Sequence, residues 1–110
     1  MNWVNEVDFA ITVCNKSGEI KYMNDKSIFT FRNDGGKNLI GTNVLDCHPE
    51  PSKSQLKDML KNQTKNVYTI EKEGKKKLIY QCPFYENGQY QGFVELSLEL
   101  PDEMQNFVRS

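Results

Sequence analysis

The stretch Gly41-Thr-Asn-Val-Leu-Asp-Cys-His-Pro-Glu-Pro-Ser52 decides the fold because of the elements that flank it. Two strand-like segments joined by a turn come before it, and one amphipathic helix and three more strand-like segments follow. In a chain of 110 residues, this order suits a small antiparallel sheet with helices packed over one face around a central cavity. The sequence therefore predicts an α+β fold.

Alternating apolar residues predict five antiparallel strands. In the first strand Phe9, Ile11 and Val13 fall on one side, which is the period of a strand. Asn87-Gly88 predicts a type I′ hairpin between the last two strands. A bend is expected within Gln89–Gly92, since Gly92 allows close backbone approach. The predicted strands are residues 9–14, 19–23, 66–72, 76–86 and 89–99.

A short helix and a helical turn are predicted between the second and third strands. Asn24 and Asp25 can both cap a helix that starts near Lys26. The turn of helix is expected around Val44 and Leu45.

The longest helix is predicted from Ser52 to Asn62. Ser52 and Gln55 form an S-x-x-Q capping box, and Leu56 and Leu60 follow at helical spacing. We therefore expect the Ser52 side chain to cap this helix and the two leucines to face the core.

From about Asp8 to Leu100 the chain resembles a PAS domain. The segment before the longest helix resembles a bacterial PAS subgroup with a Gly-x-x-Val-x-Asp-Cys-His-Pro signature. The matching residues are Gly41, Val44, Asp46, Cys47, His48, Pro49 and Ser52, with Gly18, Asn24, Tyr90, Gly92 and Glu95 elsewhere. The resemblance implies a five-stranded antiparallel sheet with helices on one face, and a sensor or signalling module without catalysis.

The chain departs from the family pattern at two places. Tyr68 alone stands where the subgroup carries an aromatic pair in the third strand. Glu99-Leu100-Pro101 replaces the Asp-(Ile/Val)-Thr junction that joins many PAS sensors to an effector. The second departure predicts that no output domain follows in this chain.

Length and composition predict one domain over residues 1–110, with a core at about 8–100 and short flanking segments at 1–7 and 101–110. Fourteen Lys and Arg against fifteen Asp and Glu give a net charge of −1, so neither nucleic acid nor a membrane is an expected partner. The three cysteines form no CxxC pair, and no signal peptide or membrane-spanning run is evident, which predicts a cytoplasmic protein with reduced structural thiols.

A PAS fold leaves space between the inner sheet face and its helices. A filled core and an open ligand cavity look alike in sequence, so both interpretations stay open. The predicted lining residues are Ile11, Val13, Tyr22, Ile28, Phe31, Leu45, His48, Leu56, Leu60, Tyr80 and Val94.

His48 is the only histidine and the one candidate haem ligand. The favoured interpretation is structural: His48-Pro49 forms a turn whose ring bonds to backbone beside the helix start. No cofactor is therefore predicted, with haem as the alternative.

Other chemistries are disfavoured. Cys47 lies where light-sensing PAS domains carry a flavin-reactive thiol, but His48-Pro49 follows it in place of the Arg of their motif. Cys14, Cys47, His48 and Cys82 lack the close pairs of a zinc site. No nucleophile and base stand together, so the chain is not predicted to be an enzyme.

The predicted function is sensing of a small molecule, or signalling by protein contact, through a population shift. A pure interaction module with a filled core is the alternative. A homodimer is expected, with Trp3 as its anchor. The candidate interface residues are Trp3, Val4 and Val7 on a helical turn before the first strand, and Met104, Phe107 and Val108 on a helical turn predicted within Asp102–Arg109.

Overall fold

Five antiparallel strands form one sheet in the computed structural model, which describes residues 2–110 except for the side chain of Cys47. The strands are β1 (Ala10–Asn15), β2 (Ile20–Met23), β3 (Asn66–Lys72), β4 (Lys75–Glu86) and β5 (Gln89–Glu99). Their order across the sheet is β2-β1-β5-β4-β3, so the first and last strands are central neighbours. The predicted strands are confirmed, with no boundary wrong by more than one residue.

The hairpin between β4 and β5 turns as the sequence predicts. Asn87 and Gly88 have φ angles of 52° and 78°, the left-handed pair that a type I′ turn requires.

Gly92 lies where β5 passes very close to β1. Its φ is 153°, and a Cβ at this position would lie 2.0 Å from the carbonyl oxygen of Cys14. No side chain fits there, which confirms the predicted close approach of the two backbones.

The helices lie between β2 and β3. The first is α1 (Asp25–Thr30), and Asn24 caps it by accepting a 3.0 Å hydrogen bond from the Ser27 amide. The second is α2 (Ser52–Asn62). Short 3₁₀ turns lie at Arg32–Asp34, Gly36–Leu39 and Val44–Cys47.

The predicted bounds of α2 are confirmed, but the predicted cap is wrong. Pro51 occupies the cap position, and Ser52 is already helical, so the Ser52 side chain makes no capping bond. The Glu50 carboxylate supplies the acceptor instead: Oε1 lies 3.0 Å from the Ser54 amide, and Oε2 accepts from the Ser54 hydroxyl. A carboxylate at a helix N-terminus is also favoured by the helix dipole.

A buried cluster joins α2 to the two central strands. Met59 and Leu60 pack with Cys14 and Phe93, and Leu56 lies partly buried against them. The prediction that the apolar face of α2 meets the core is confirmed.

The two flanking segments differ from each other. Trp3–Asn5 forms a 3₁₀ turn before β1, as predicted. The helical turn predicted within Asp102–Arg109 is wrong, since residues 101–110 are irregular and exposed. A short helix is marginal without a surface to pack on, and no such contact holds this segment.

No helix described in residues 2–110 has both the length and the apolar character needed to cross a membrane.

Candidate functional site

A cavity of about 600 Å³ lies between the inner face of the sheet and the helical region. The strands supply one wall, and α1, the 3₁₀ turns and α2 supply the other. Its apolar lining includes Ile20, Met23, Phe31, Leu39, Val44, Leu56, Ile79 and Phe93. A largely apolar wall with a few polar groups is typical of a small-molecule site.

The cavity opens along the edge strand β3. Tyr68 and Ile70 line it, yet they are 41% and 37% exposed. A second, smaller cavity of about 330 Å³ shares His48, Leu56, Tyr68 and Gln81 with the first. The two spaces therefore adjoin between α2 and the β3–β4 hairpin.

Glu95 and Gln81 form a polar pair on the inner wall. They are cross-strand neighbours on β5 and β4, and Gln81 Nε2 donates a 2.7 Å hydrogen bond to Glu95 Oε1. Among the described residues, no side chain or amide donates to the second oxygen, Oε2. Burial raises the pKa of Glu95, while the Gln81 hydrogen bond and the nearby His48 oppose that rise.

Other groups near Glu95 are neutral and respond to its charge. Burial, with a further contribution from Glu95, raises the pKa of Tyr68. Burial also raises the pKa of the Cys14 thiol. Thr12, the cross-strand partner of Glu95 on β1, is engaged with Ser27, with 2.6 Å between the hydroxyl oxygens.

His48 stands at the rim with its ring against the backbone. Its Nδ1 lies 2.6 Å from the carbonyl oxygen of Val44. A carbonyl only accepts, so Nδ1 carries the proton and Nε2 is the free ring nitrogen. The side chain is exposed. This contact is of the kind that the structural interpretation of His48 predicts.

Four of the eleven predicted lining residues border the cavity, namely Phe31, His48, Leu56 and Val94. The register of Val94 with Val13 and Cys82 places its side chain on the outer face. Seven predicted residues lie elsewhere: Ile11, Val13, Tyr22, Ile28, Leu45, Leu60 and Tyr80.

The strand residues among these seven were predicted on the wrong face of the sheet. Cys14 pairs with Phe93 on the inner face, whereas Val13 pairs with Tyr22 and Val94 on the outer face. Alternation separates two faces but does not tell which one the helices cover. The sequence pattern predicts the apolar residues of each strand on the inner face, whereas in the structure the helices cover the face with the more polar residues.

The remaining three residues lie on or near the helices but away from the cavity lining. Leu60 belongs to the buried cluster with Met59, and Leu45 packs against that cluster. Ile28 lies against Gly36, on the side of α1 turned to the following 3₁₀ turns.

Sequence reasoning missed Glu95 and Gln81 as site residues. Glu95 was noted only as part of the PAS resemblance. A usable signal is present: Phe93, Glu95 and Ser97 form the alternate set of β5, and a carboxylate in a central strand must be paired or face a cavity.

Among the described residues, no three His, Cys, Asp or Glu side chains come together as metal ligands do. Cys14 lies on the inner face, and the register places Cys82 opposite Val94 on the outer face. The zinc tetrad is therefore not assembled. The predictions about the Cys47 thiol lie outside the described side chains.

The chain is similar in structure to several solved domains. The C-terminal domain of a Streptococcus mutans protein is 24% identical, with a TM-score of 0.70 over 88% of this chain and 79% of that one. The PAS domain of the histidine kinase ThkA is 21% identical, with a TM-score of 0.64 over 84% and 99%. The Aer2 receptor from Vibrio cholerae, described as a dual PAS-haem oxygen sensor, is 12% identical, with a TM-score of 0.66 over 84% and 95%.

No protein-family model and no curated protein matches the chain. At these identities the likeness concerns the fold, and the chain has the five-stranded antiparallel α+β fold of PAS domains. The predicted fold is confirmed. The bacterial signature at Gly41–Ser52 stays a prediction.

Proposed function

We propose that this chain, which has the PAS fold, is a non-catalytic sensory module that binds a small molecule in its central cavity. The observation that carries the proposal is the cavity of about 600 Å³ itself. Packed interiors leave few voids larger than a water molecule. A space of this size, in contact with solvent and walled by apolar side chains, favours a ligand site over a filled core.

The mechanism is a population shift between arrangements of α2 and the sheet. Leu56 lines the cavity from the same helix that contributes Met59 and Leu60 to the buried cluster. A ligand held between α2 and the inner sheet face favours the arrangement in which both walls contact it. The surface formed by α2 and the flanking segments then changes, and a partner reads that change.

The proposal is tested by mass spectrometry of the purified chain under native conditions. A co-purifying small molecule, released on denaturation, is the expected result. Ser97→Phe adds bulk on the inner wall, so it should abolish retention of that molecule. Leu96→Phe, one residue away on the outer face, is the matched control and should retain it. An empty wild-type chain, with no stabilisation by a metabolite library, would contradict the proposal.

Haem is the second candidate, favoured by the likeness to the PAS-haem receptor Aer2 and by the free Nε2 of His48 at the cavity rim. A haem-ligating histidine donates its other ring nitrogen to a partner such as a carbonyl, and His48 does so. The Glu95 carboxylate opposes this candidate, since a charge beside a porphyrin face is unfavourable.

Absorbance spectroscopy decides between the two candidates. We expect the chain to stay colourless after haem is added, in both the wild type and His48→Gln. Stoichiometric uptake with a Soret band, lost in His48→Gln, would establish the haem sensor instead.

We propose further that the chain forms a homodimer through its flanking segments and outer sheet face. Trp3 and Phe107 are 56% and 65% exposed, an uncommon state for such large apolar side chains. Val4 and Val7, in the same segment as Trp3, are half-buried. Trp3→Ala should weaken association by about 2 kcal/mol or more. Light scattering that finds a monomer at high concentration of the wild type would end this proposal.

A further inference from the structure

Glu95 is the feature of the cavity that the proposed function leaves unexplained. A carboxylate in a central strand is costly to bury, and it is retained where something pairs with it. Gln81 satisfies only Oε1. The strand register places the Glu95 side chain on the inner sheet face, where it lines the open cavity half-buried, and its Oε2 is reached by solvent.

We propose that the cavity takes an organic cation, a ligand whose protonated amine or amidinium group sits on Glu95 and whose apolar body packs on Phe93, Ile79 and Leu56. This inference rests on the proposed function, because it names the ligand class of the same cavity. The predicted ligand therefore carries a positively charged hydrogen-bond donor.

The hydrogen bonds of Glu95 and Gln81 favour a ligand that donates to Glu95 over one that accepts from it. Gln81 Nε2 already donates to Oε1, and an ionised carboxylate only accepts. A cationic donor on Oε2 would complete the shell with a charge-assisted hydrogen bond, roughly twice as strong as a neutral one. An anionic ligand would instead face the Glu95 charge directly.

The other charged groups of the lining do not neutralise Glu95. Lys77 is four residues from Gln81 on β4, a rise of about 13 Å at about 3.3 Å per residue. Lys72 and Asp34 also line the cavity, and Lys72 stands next to Lys75 at the hairpin end of the sheet. His48, exposed at the rim, is near enough to oppose the rise in the pKa of Glu95.

Aromatic side chains support the same ligand class. Tyr68 lines the cavity close enough to Glu95 for the carboxylate to raise the pKa of its hydroxyl. Phe93 lies two residues before Glu95 on the same face of β5. An aromatic ring face attracts a cation, and a desolvated pair adds to the ionic contact.

The pH dependence follows from the groups that face Glu95. Burial raises its pKa, so protonation removes the cation's partner as the pH falls towards that value. Cys14 and Tyr68 stay neutral throughout, since burial raises the pKa of both. Binding of a cation should therefore weaken as the solution becomes more acidic.

The test uses three probes of nearly equal shape: benzamidine, benzamide and benzoate. Calorimetric titration of the purified chain, after exchange to remove bound molecules, should detect benzamidine binding. Benzamide should bind at least about tenfold more weakly than benzamidine, a loss of about 1.4 kcal/mol of binding free energy or more. Benzoate should not bind. Glu95→Gln should weaken benzamidine by about tenfold or more and remove its pH dependence.

Two controls make the outcome specific. Glu99→Gln removes a β5 carboxylate that pairs with Lys75 at 3.6 Å, half-exposed and outside the lining, so benzamidine should bind it as it binds the wild type. Glu95→Met repeats the test without a polar group, should Glu95→Gln fold poorly by circular dichroism.

Equal binding of benzamidine and benzamide, or benzamidine binding unchanged in both Glu95 variants, would overturn the assignment and leave the cavity as a ligand site. Binding of none of the three probes overturns it as well. The proposed function falls only if native mass spectrometry also finds the wild-type cavity empty, so the two failures are distinguishable.

Discussion

Replacing Asn24 with alanine should destabilise the chain more than any other substitution of a polar residue described above. The Asn24 side chain is fully buried. Its Oδ1 accepts from the Ile11 and Ser27 amides at 2.9 and 3.0 Å. Its Nδ2 donates to the Val4 and Phe9 carbonyls, both at 2.9 Å. One side chain thus joins the segment before β1, the start of β1 and the cap of α1.

The magnitude follows from these four bonds. Each contributes about 1 kcal/mol net, and buried partners left unpaired cost more. Loss of all four predicts about 4 kcal/mol, with the helix cap accounting for about 1 kcal/mol of it. Because the free energy of unfolding of native proteins is about 5–15 kcal/mol, this loss is a large share of the total stability.

Urea denaturation followed by circular dichroism measures the effect. Asn33→Ala, at an exposed position in a 3₁₀ turn, is the control and should change stability by less than about 0.5 kcal/mol. Asn24→Asp keeps an oxygen that accepts from the Ile11 and Ser27 amides, but it sets the second carboxylate oxygen against the Val4 and Phe9 carbonyls. It should be strongly destabilised at neutral pH and recover in acid, as protonation restores one donor. A loss below about 1 kcal/mol in Asn24→Ala would refute the reasoning.

Three further predictions concern stability. Gly92→Ala should lower the free energy of unfolding by about 3 kcal/mol or more, because its Cβ would overlap the Cys14 carbonyl. The control Gly74→Ala meets nothing within 4 Å and should lose about 1 kcal/mol because of its positive φ. Equal losses in thermal or urea unfolding would contradict this prediction. Ser52→Ala should change the free energy of unfolding by less than about 0.5 kcal/mol, whereas Glu50→Ala should lower it by about 0.5–1 kcal/mol. A larger loss in Ser52→Ala than in Glu50→Ala would show that Ser52 is the cap after all. Since burial raises the folded-state pKa of Glu95, the folded chain binds the extra proton, so stability falls as pH rises from the unfolded value through the folded one. Glu95→Gln should remove that slope and raise the melting temperature at neutral pH, and an unchanged pH profile would count against burial of the carboxylate.

The strands and α2 could be predicted because their signals are local. Alternation over β1 and the left-handed pair at Asn87-Gly88 depend on neighbours in sequence, and the structure confirms both. The cap of α2 could not be predicted from spacing alone. Whether Ser52 or Glu50 faces the free amides depends on where the first helical residue falls, and Pro51 at the cap position makes Ser52 helical.

The site was harder to predict because the helices cover the more polar face of the sheet and leave the more apolar face outside. Val13 and Tyr80 are the apolar alternates of their strands and lie on the outer face, while Gln81 and Glu95 are covered by the helices. Apolar content therefore indicates the wrong inner face. A carboxylate on the inner alternate of a central strand was the better signal, and it lies on the cavity wall.

The central position of β1 and β5 determines how the domain responds to force. Because the two strands are antiparallel partners, with Ala10 opposite Ser97 and Asn15 opposite Gly92, the chain enters β1 and leaves β5 at the same end of the pair. A pull that separates the two flanking segments would load the hydrogen bonds one after another, as in opening a zip, and not all together. Among the β1–β5 bonds, the first to open lie at Ser97, two residues from Glu95. If the cavity binds a ligand as proposed, tension between the flanks and binding of that ligand would act on the same short stretch of β5 and oppose each other.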